Sequence, residues 1–449
     1  MKRRVIVLGG GPGGYSSAIR CAQMGAEVIL VEKEFLGGVC LNHGCIPTKT
    51  LFEASLIKEK IKKAGIFGWE IEEKGFQWEV LKKKKEEVVI RLRKGLEFLF
   101  SQYGIKWVKG VGKVINGGVE VGEKTFSGDT LILATGSSPL LPPAFKKRRV
   151  LTSREILDLE KLPEKLLIAG GGVIGCEFAY IFSSLGTEVT LVEMMERLLP
   201  AEDGDISRGV EEVLKKKGVR VITGIKVEKI EEGKDSISCE LGEEKWEGEY
   251  ILAALGRVRN TQDFSGLGIE MGKEGVRVNE QMETTVPGVF AVGDLTPSPQ
   301  LAHVAFQEGE VAGENACGGE KTIDYRAIPR VIFTYPEAGS VGMGEEEARE
   351  KGYPVKTVKF PFTAVGKAHA EDDTEGWVKL VVNEENNEIL GLHILSPSAG
   401  EILGEGIIAV NLKVTPETLA DSIHPHPTRI EAIKEVSSLF LGKPLHFLK

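Results

Sequence analysis

The sequence predicts an α/β fold in which one unit of strand, glycine-rich turn, helix and strand occurs twice. Glycine-rich hexads begin at Gly9 and at Gly170, 161 residues apart, and both fit the pattern G-x-G-x-x-G. The same offset relates a later glycine and a later glutamate of each copy, so the repeat extends beyond the hexads. With 449 residues the chain exceeds two such units, since domains average about 150 residues.

Each copy gives the same order of elements. An apolar run precedes the hexad, a helix-length segment ending in glycine follows it, and a second apolar run ends in a glutamate. The first copy comprises Val5–Leu8, Gly25, Val28–Val31 and Glu32, and the second comprises Leu166–Ala169, Gly186, Val189–Val192 and Glu193.

The chemistry of this unit predicts dinucleotide binding. The first glycine permits a tight turn, the second lets the backbone approach a pyrophosphate, and the third packs the helix against the strand. The helix N-terminus offers free N–H groups to phosphates, and the glutamate can accept hydrogen bonds from a ribose. The predicted binding residues are Gly9, Gly11, Gly14 and Glu32 in the first copy, and Gly170, Gly172, Gly175 and Glu193 in the second.

The second copy favours NAD over NADP. Glu193 is followed by two methionines, and the next basic residue is Arg197. A carboxylate facing the 2′ position repels a 2′-phosphate. The alternative is that Arg197 folds back to bind such a phosphate.

Three further apolar runs predict strands that accompany these units. They are Leu131–Gly136, Ile251–Gly256 and Thr285–Asp294. Ligands of open α/β sheets bind at the carboxyl edge of the strands, where Asp294 would lie. Asp294 could accept hydrogen bonds from a ribityl chain, or it could simply form a turn.

Composition indicates an acidic globular protein. Charged residues make up 27% and hydrophobic residues 42%, and the net charge of −9 argues against non-specific nucleic-acid binding. No apolar run approaches the roughly 18 residues of a membrane span, and the apolar run after the basic start is too short for a signal peptide. We therefore expect a cytoplasmic protein with neither nucleic-acid nor membrane partners.

Two of the six cysteines carry the most information. Cys40 and Cys45 follow the first nucleotide unit and could form a redox dithiol, half of a metal site or part of the core. A metal site needs a second pair at ligand spacing, whereas Cys176, Cys239 and Cys317 are scattered singles, so no metal is expected. In a reducing compartment a disulfide is catalytic more often than structural.

The spacing of Cys40 and Cys45 predicts a break in the helix between them. Positions five apart in a regular helix differ by about 7.5 Å of rise, whereas disulfide-bonded Cα atoms lie about 5.5 Å apart. Gly44 makes the departure easy, and Pro47 suits the first turn of the next helix, whose N-terminus favours a thiolate.

The pattern Cys40-x4-Cys45-x-Pro47-x-Lys49 after a glycine fingerprint resembles the class I pyridine nucleotide–disulfide oxidoreductases. Pro336-Glu337, Gly391–Ile394 and the segment His424–Glu431, with the sequence HPHPTRIE, resemble the same family. The resemblance covers essentially the whole chain and is strongest to the members that oxidise protein-bound dihydrolipoamide.

The resemblance implies FAD in the first site and NAD in the second. It implies that Cys40 attacks substrate sulfur and that Cys45 passes electrons to the flavin. Lys49 would lie against the flavin and pair with Glu177. His426, oriented by Glu431, would be the base and would serve the active site of the partner chain. The remaining implied contacts are Thr135, Gly136, Asp294 and Ala302 with FAD, and Gly256 with NAD.

The resemblance also implies a domain order and partners. The FAD-binding domain would comprise residues 1–145 and 261–329, the NAD-binding domain 146–260, and an α+β interface domain 330–449. The chain would form a homodimer and act on the lipoyl-bearing protein of a 2-oxo acid dehydrogenase complex or glycine cleavage system.

Other functions stay open. The chain could be a glutathione-reductase-like enzyme, a diaphorase or NADH oxidase, or chiefly a docked subunit. Val173 stands where NADP-dependent relatives have a tyrosine. Mercuric reductases carry a C-terminal cysteine pair, whereas the last cysteine here is Cys317. Soluble transhydrogenases lack the redox pair that Cys40 and Cys45 would form. The chain departs from the family pattern at His43, at Arg259 and in the short link from Glu32 to Cys40.

Overall fold

The computed structural model describes residues 2–261, 264 and 266–448. The α-helices are α1 (Pro12–Gln23), α2 (Gly38–His43), α3 (Cys45–Lys63), α4 (Trp78–Gln102), α5 (Val173–Leu185), α6 (Gly204–Lys216), α7 (Ala302–Ala316), α8 (Glu345–Glu350), α9 (Gly366–Ala370), α10 (Ala399–Asn411), α11 (Pro416–Asp421) and α12 (Glu431–Phe440). Short 3-10 helices cover Ala64–Phe67, Pro143–Phe145, Glu155–Asp158, Gly293–Leu295 and Phe362–Ala364.

The strands are mostly short. They are β1 (Arg4–Leu8), β2 (Glu27–Glu32), β3 (Lys106–Lys109), β4 (Gly112–Ile115), β5 (Gly118–Val121), β6 (Lys124–Ser127), β7 (Thr130–Leu133), β8 (Ser137–Pro139), β9 (Val150–Leu151), β10 (Lys165–Ala169), β11 (Glu188–Val192), β12 (Arg220–Ile222), β13 (Val227–Glu232), β14 (Ile237–Leu241), β15 (Glu244–Gly248), β16 (Tyr250–Ala253), β17 (Arg257–Arg259), β18 (Met271–Gly272), β19 (Gly275–Val276), β20 (Val289–Ala291), β21 (Pro329–Ile332), β22 (Glu337–Gly342), β23 (Val355–Pro361), β24 (Trp377–Asn383) and β25 (Ile389–Ser396).

Two five-stranded parallel sheets share one strand order. The first runs β20-β7-β1-β2-β3, and the second, read in the same sense, runs β9-β16-β10-β11-β12. In both sheets the glycine-rich helix connects the central strand to its neighbour. Strand β20 joins the first sheet after the second sheet is complete, so the first unit is built from two stretches of the chain. The repeat predicted from the sequence is thus confirmed in the topology.

The third large sheet is antiparallel, with the order β21-β22-β25-β24-β23. Helices α10 and α12 pack against it, and β25 is buried along its whole length. The predicted fold class, two dinucleotide-binding units followed by an α+β unit, is confirmed. The domain boundaries given above remain predictions.

The largest hydrophobic cluster lies where the three units meet. It joins Phe52 of α3 to Tyr180 of α5, with ring centroids 5.8 Å apart, and includes Ile332 and Leu395 of the third sheet. This packing fixes α3, which begins at Cys45, against the glycine-rich helix of the second nucleotide unit.

One predicted strand is shorter than its apolar pattern. Of Thr285–Asp294, only Val289–Ala291 forms a strand. Gly288 adopts a left-handed conformation with φ +76°, so the residues before it turn instead of extending the strand. Asp294 lies in the 3-10 helix that follows.

Across residues 2–261, 264 and 266–448, no helix has both the length and the apolar character that crossing a membrane requires.

Candidate active site

The two glycine hexads have the same geometry, with a separate role for each glycine. The first glycines, Gly9 and Gly170, have φ of +108° and +110°. A Cβ on the third glycines, Gly14 and Gly175, would lie only 1.8 Å and 1.9 Å from the carbonyl oxygens of the first ones, so close packing requires glycine there.

The second glycines face free space. A Cβ on Gly11 would meet nothing nearer than 3.8 Å, and a Cβ on Gly172 would meet nothing within 4 Å. Protein packing therefore does not explain these glycines, whereas the approach of a pyrophosphate to the helix N-terminus does. The residues present fit a dinucleotide at both places.

The two strand-terminal glutamates are held in the same way. Glu32 accepts hydrogen bonds from the N–H groups of Gly10 (2.7 Å) and Glu34 (2.8 Å). Glu193 accepts them from Gly171 (2.6 Å) and Met195 (2.8 Å). A carboxylate accepts about four hydrogen bonds, so each retains capacity for ribose hydroxyls.

Arg197 does not fold back toward Glu193 in the structure. Its guanidinium makes two hydrogen bonds to Glu346, of 2.9 Å and 2.7 Å. The side chains of Met194 and Met195 are exposed beside Glu193. Gly256, the other predicted NAD contact, follows β16 with φ +106° and no atom within 4 Å of its Cβ position.

The remaining predicted FAD contacts surround the carboxyl edge of the first sheet. Thr135 donates a 2.7 Å hydrogen bond to the carbonyl of Asn260, and Gly136 next to it has φ +67°. Asp294 accepts a short hydrogen bond from the hydroxyl of Ser137. Ala302 is the first residue of α7, and the first turn of this helix lies beside Gly293, where an added Cβ would be 3.4 Å from the Cβ of Ala305.

The helix break between the cysteines occurs at Gly44. Helix α2 ends at His43 and α3 begins at Cys45, with Gly44 at φ −143° and ψ −111°, outside the helical region. Asn42 secures the segment, since its amide donates to the carbonyls of Leu36 (3.0 Å) and Gly38 (2.8 Å). The predicted departure from regular helix is confirmed.

The two thiols differ in acidity. The structure holds Cys40 and Cys45 as free thiols, both partly buried. The hydrogen bond from Cys40 lowers the pKa of Cys45 to about 7, and the charge of Lys49 acts in the same direction against the effect of burial. That hydrogen bond and burial raise the pKa of Cys40. Cys45 is therefore the more acidic of the two thiols.

Lys49 and Glu177 meet across the interface of the two nucleotide units. Lys49 Nζ donates to both carboxylate oxygens, at 2.8 Å and 3.0 Å, and lies 4.3 Å from the ring centre of Phe333. Glu177 is buried on α5 and also accepts from the N–H of Phe333. The ammonium is thus fixed one turn beyond Cys45.

His426 and Glu431 form a second pair in the third unit. His426 Nδ1 lies 2.8 Å from Glu431 Oε1, and Glu431 Oε2 accepts from the N–H of Thr428. Burial opposes ionisation, but these hydrogen bonds and the charge of His426 lower the pKa of Glu431. The His426 side chain is 74% exposed. Among the described residues of one chain, no hydrogen bond or ion pair links His426 to Cys40 or Cys45.

Two of the residues that depart from the family pattern, His43 and Arg259, make contacts with neighbouring residues. His43 Nε2 lies 3.5 Å from Glu34, and burial lowers the pKa of His43. Arg259 donates two hydrogen bonds to the carbonyl of Thr296, which link β17 to the loop after Asp294.

Sequence reasoning missed Arg257, which donates to the Ser137 hydroxyl (2.6 Å) and lies 3.7 Å from Asp294. Only the dipeptide Gly256-Arg257 at the end of a strand pointed to it. No group of three or more metal-ligating side chains occurs among the residues that the structure describes.

Comparison with known proteins supports one family. The model of the pyridine nucleotide-disulphide oxidoreductases matches residues 3–309, and the model of their dimerisation domain matches 328–437. The chain is 38% identical over 453 residues to the dihydrolipoyl dehydrogenase of Chlamydia pneumoniae, covering 98% of both chains. It is 38% identical over 464 residues to that of Geobacillus stearothermophilus, covering 100% of this chain and 98% of the other.

The fold agrees as well. The crystal structure of LpdA from Mycobacterium tuberculosis superposes with a TM-score of 0.91, covering 98% of this chain and 99% of that one at 24% identity. At this identity the likeness shows the fold alone.

Proposed function

The chain belongs to the pyridine nucleotide-disulphide oxidoreductase family and uses FAD and NAD, and we propose that it oxidises protein-bound dihydrolipoamide to lipoamide with NAD as acceptor. The match to the dimerisation domain supports a homodimer. The observation that carries the proposal is the placement of Cys40 and Cys45 on either side of the helix break at Gly44, with the Lys49–Glu177 pair one turn beyond Cys45.

In the oxidised enzyme these two sulfurs would form a disulfide. A thiolate of dihydrolipoamide attacks the sulfur of Cys40, and Cys45 leaves as a thiolate. The second substrate thiol then attacks the mixed disulfide and displaces Cys40, which gives the cyclic lipoyl disulfide and two enzyme thiols. A sulfur of low pKa is the better leaving group, which favours attack at Cys40.

Lys49 also favours attack at Cys40 and departure of Cys45. Its ammonium lies near Cys45 and is held by Glu177, so it stabilises the thiolate that this attack releases. FAD bound over the N-terminus of α1 would supply the acceptor for the electron pair of the dithiol and the hydride for NAD. Glu32 and Glu193 would hold the two riboses.

His426 would take the proton of the substrate thiol at Nε2. Its Nδ1 faces Glu431, which fixes the ring and stabilises the protonated imidazole. The two sites of the predicted homodimer would each combine Cys40 of one chain with His426 of the other.

A lipoyl-bearing protein would present the substrate. The dihydrolipoyl dehydrogenases of Chlamydia pneumoniae and Geobacillus stearothermophilus carry this substrate in their names. A 2-oxo acid dehydrogenase complex and the glycine cleavage system are the two candidate partners, and a cytoplasmic location remains a prediction.

Two assays on the purified, FAD-loaded protein test this function. NAD reduction by dihydrolipoamide is expected to exceed NADPH oxidation by glutathione disulfide by at least about 100-fold, because Glu193 disfavours the phosphate. Cys40→Ser should abolish the first activity and retain NADH-dependent dye reduction, while Cys239→Ser, a cysteine of the β13–β15 sheet, should change neither. Faster turnover with NADPH and glutathione disulfide would refute the proposal, and dye reduction alone would favour a diaphorase.

A further inference from the structure

Helices α1 and α7 pack side by side through small residues that recur at every fourth position. These positions are Gly13, Ser17 and Cys21 on α1, and Gly309, Gly313 and Cys317 at α7 and its C-terminal cap. Each member of the second set follows its counterpart by 296 positions. The two sets therefore face each other in one parallel register.

The first two pairs place the helix backbones in contact. A Cβ on Gly309 would lie 2.5 Å from the carbonyl oxygen of Gly13, and a Cβ on Gly313 would lie 2.8 Å from that of Ser17. Neither position can accept a larger side chain without separating the helices. This contact fixes the register of the third pair.

The third pair consists of two cysteines. Cys21 is fully buried, and its Sγ lies 3.3 Å from the carbonyl oxygen of Gly313. Cys317 is partly exposed, and its Sγ lies 3.9 Å from the carbonyl oxygen of Cys21. Both sulfurs thus lie at the same end of the helix interface, apart from the Cys40–Cys45 site.

We propose that Cys21 and Cys317 form a second thiol–disulfide pair that exchanges with small disulfides such as glutathione disulfide. The thiolate of Cys317 attacks one sulfur of the reagent and releases one glutathione thiolate. Cys21 then attacks the Cys317 sulfur of the mixed disulfide, and the second glutathione leaves. The two protein thiols are oxidised, two protons are lost, and one glutathione disulfide is reduced to two thiols.

Exposure and charge set the order of these steps. Cys317 reaches solvent, and its hydrogen bond with Cys21 and the positive charge of Arg3 lower its pKa. The hydrogen bond with Cys317 and burial raise the pKa of Cys21, which has no free path to a bulky reagent. Cys176 and Cys239 are both buried, and burial raises the pKa of each thiol.

The bond would join the ends of two helices whose other ends face the FAD site. Helix α1 begins at the glycine hexad, and α7 begins at Ala302. A covalent link between residues so far apart in sequence restricts the unfolded chain strongly. We expect it to stabilise the FAD-binding unit and leave the active-site thiols free to turn over.

The test uses the FAD-loaded protein incubated with glutathione disulfide. Free thiols are then blocked with N-ethylmaleimide in denaturant, so that buried thiols also react, and non-reduced peptides are identified by mass spectrometry. We expect a peptide pair linked through Cys21 and Cys317, with the Cys40–Cys45 disulfide as the internal control for oxidation. Glutathione retained on Cys317 with Cys21 blocked by maleimide, or both thiols blocked, would overturn the proposal.

A melting experiment provides an independent readout. Oxidised wild-type protein should lose at least about 2 °C in Tm when the second disulfide is reduced. Cys317→Ser should show no linked peptide, and its Tm should not fall by this additional amount on reduction. Its dihydrolipoamide activity should stay at the wild-type level. An equal change in wild type and Cys317→Ser would contradict the stabilising link.

Discussion

Lys49 Nζ lies 2.8 Å from Glu177 Oε2, an ion pair that connects the helix beginning at Cys45 to the glycine-rich helix of the second nucleotide unit. Glu177 is buried and Lys49 is about one-third exposed, so the pair is only partly screened by water. Because Phe333 of the third unit also donates to Glu177, three parts of the fold converge on one carboxylate.

The first prediction concerns stability. Glu177→Gln should lower the free energy of unfolding by about 1–3 kcal/mol, because it leaves the Lys49 ammonium partly buried without a counter-ion. Chemical denaturation of the FAD-loaded protein measures the loss. Glu27→Gln, in an exposed pair with Arg4, is the matched control and should cost at most about 1 kcal/mol. Equal losses of unfolding free energy in the two variants would show that the Lys49–Glu177 pair stabilises the fold no more than an exposed ion pair does.

The second prediction concerns the pH dependence of the thiolate and which of the two active-site cysteines carries it. Since the pKa of Cys45 is lowered to about 7, its thiolate should predominate above that pH and be lost as the pH falls through it. The long-wavelength thiolate-to-flavin band of the partially reduced holoenzyme should therefore rise with a midpoint near pH 7. Cys40→Ser should keep a band of this kind, and Cys45→Ser should lose it. The opposite pattern would exchange the roles of the two cysteines.

The third prediction concerns coenzyme choice. NAD should exceed NADP in kcat/KM by at least about tenfold, or 1.4 kcal/mol, because two backbone N–H groups fix the Glu193 carboxylate where the coenzyme's ribose would bind. Glu193→Ala should narrow this ratio mainly by weakening NAD use. Glu196→Ala, an exposed glutamate on the same loop, should leave the ratio unchanged. Equal use of both coenzymes by the wild type would refute the assignment.

The fourth prediction identifies Arg429 as a positioning residue for the base. Its buried guanidinium donates to Glu371 (2.8 Å) and to the carbonyl of Asp373 (2.8 Å), which holds the loop between His426 and Glu431. Arg429→Leu should reduce dihydrolipoamide oxidation by at least about tenfold and alter its pH profile, because the imidazole loses its fixed orientation.

Two controls separate positioning from a general loss of structure. NADH-dependent dye reduction should be unaffected in Arg429→Leu, and Arg429→Lys should recover part of the activity. Arg326→Leu, in an exposed pair with Asp324, should change neither rate. An unchanged pH profile in Arg429→Leu would remove Arg429 from this role.

The sequence predicted best those features that depend on residues near each other in the chain. The hexads are local turns, so their geometry followed from their spacing. Glu32 and Glu193 followed from the repeat, because each comes at the end of the second strand of one strand–helix–strand unit. The break at Gly44 followed from the distance that a disulfide tolerates. The apolar run from Thr285 predicts a longer strand than Val289–Ala291, because the left-handed Gly288 prevents the strand from beginning earlier.

Contacts between distant residues were harder to predict. Cys21 and Cys317 were not paired, because a separation of 296 positions hides a register that only the packing of α1 on α7 fixes. The four-residue spacing of small residues on both helices was the available signal. The sequence places Arg429 only within a motif, since nothing in the neighbouring residues indicates that it is buried.

We expect Cys40 of one subunit and His426 of the other to form one reaction site, as the family resemblance implies. His426→Ala should lower dihydrolipoamide oxidation by about 10²–10⁴-fold, the usual contribution of a general base. When dimers of His426→Ala and Cys40→Ser are dissociated, mixed and reassociated, one of the two sites in each mixed dimer regains both groups. We expect activity to return in proportion to the mixed dimers counted by mass spectrometry. Mixed dimers without activity would place the base within the same chain and contradict this expectation.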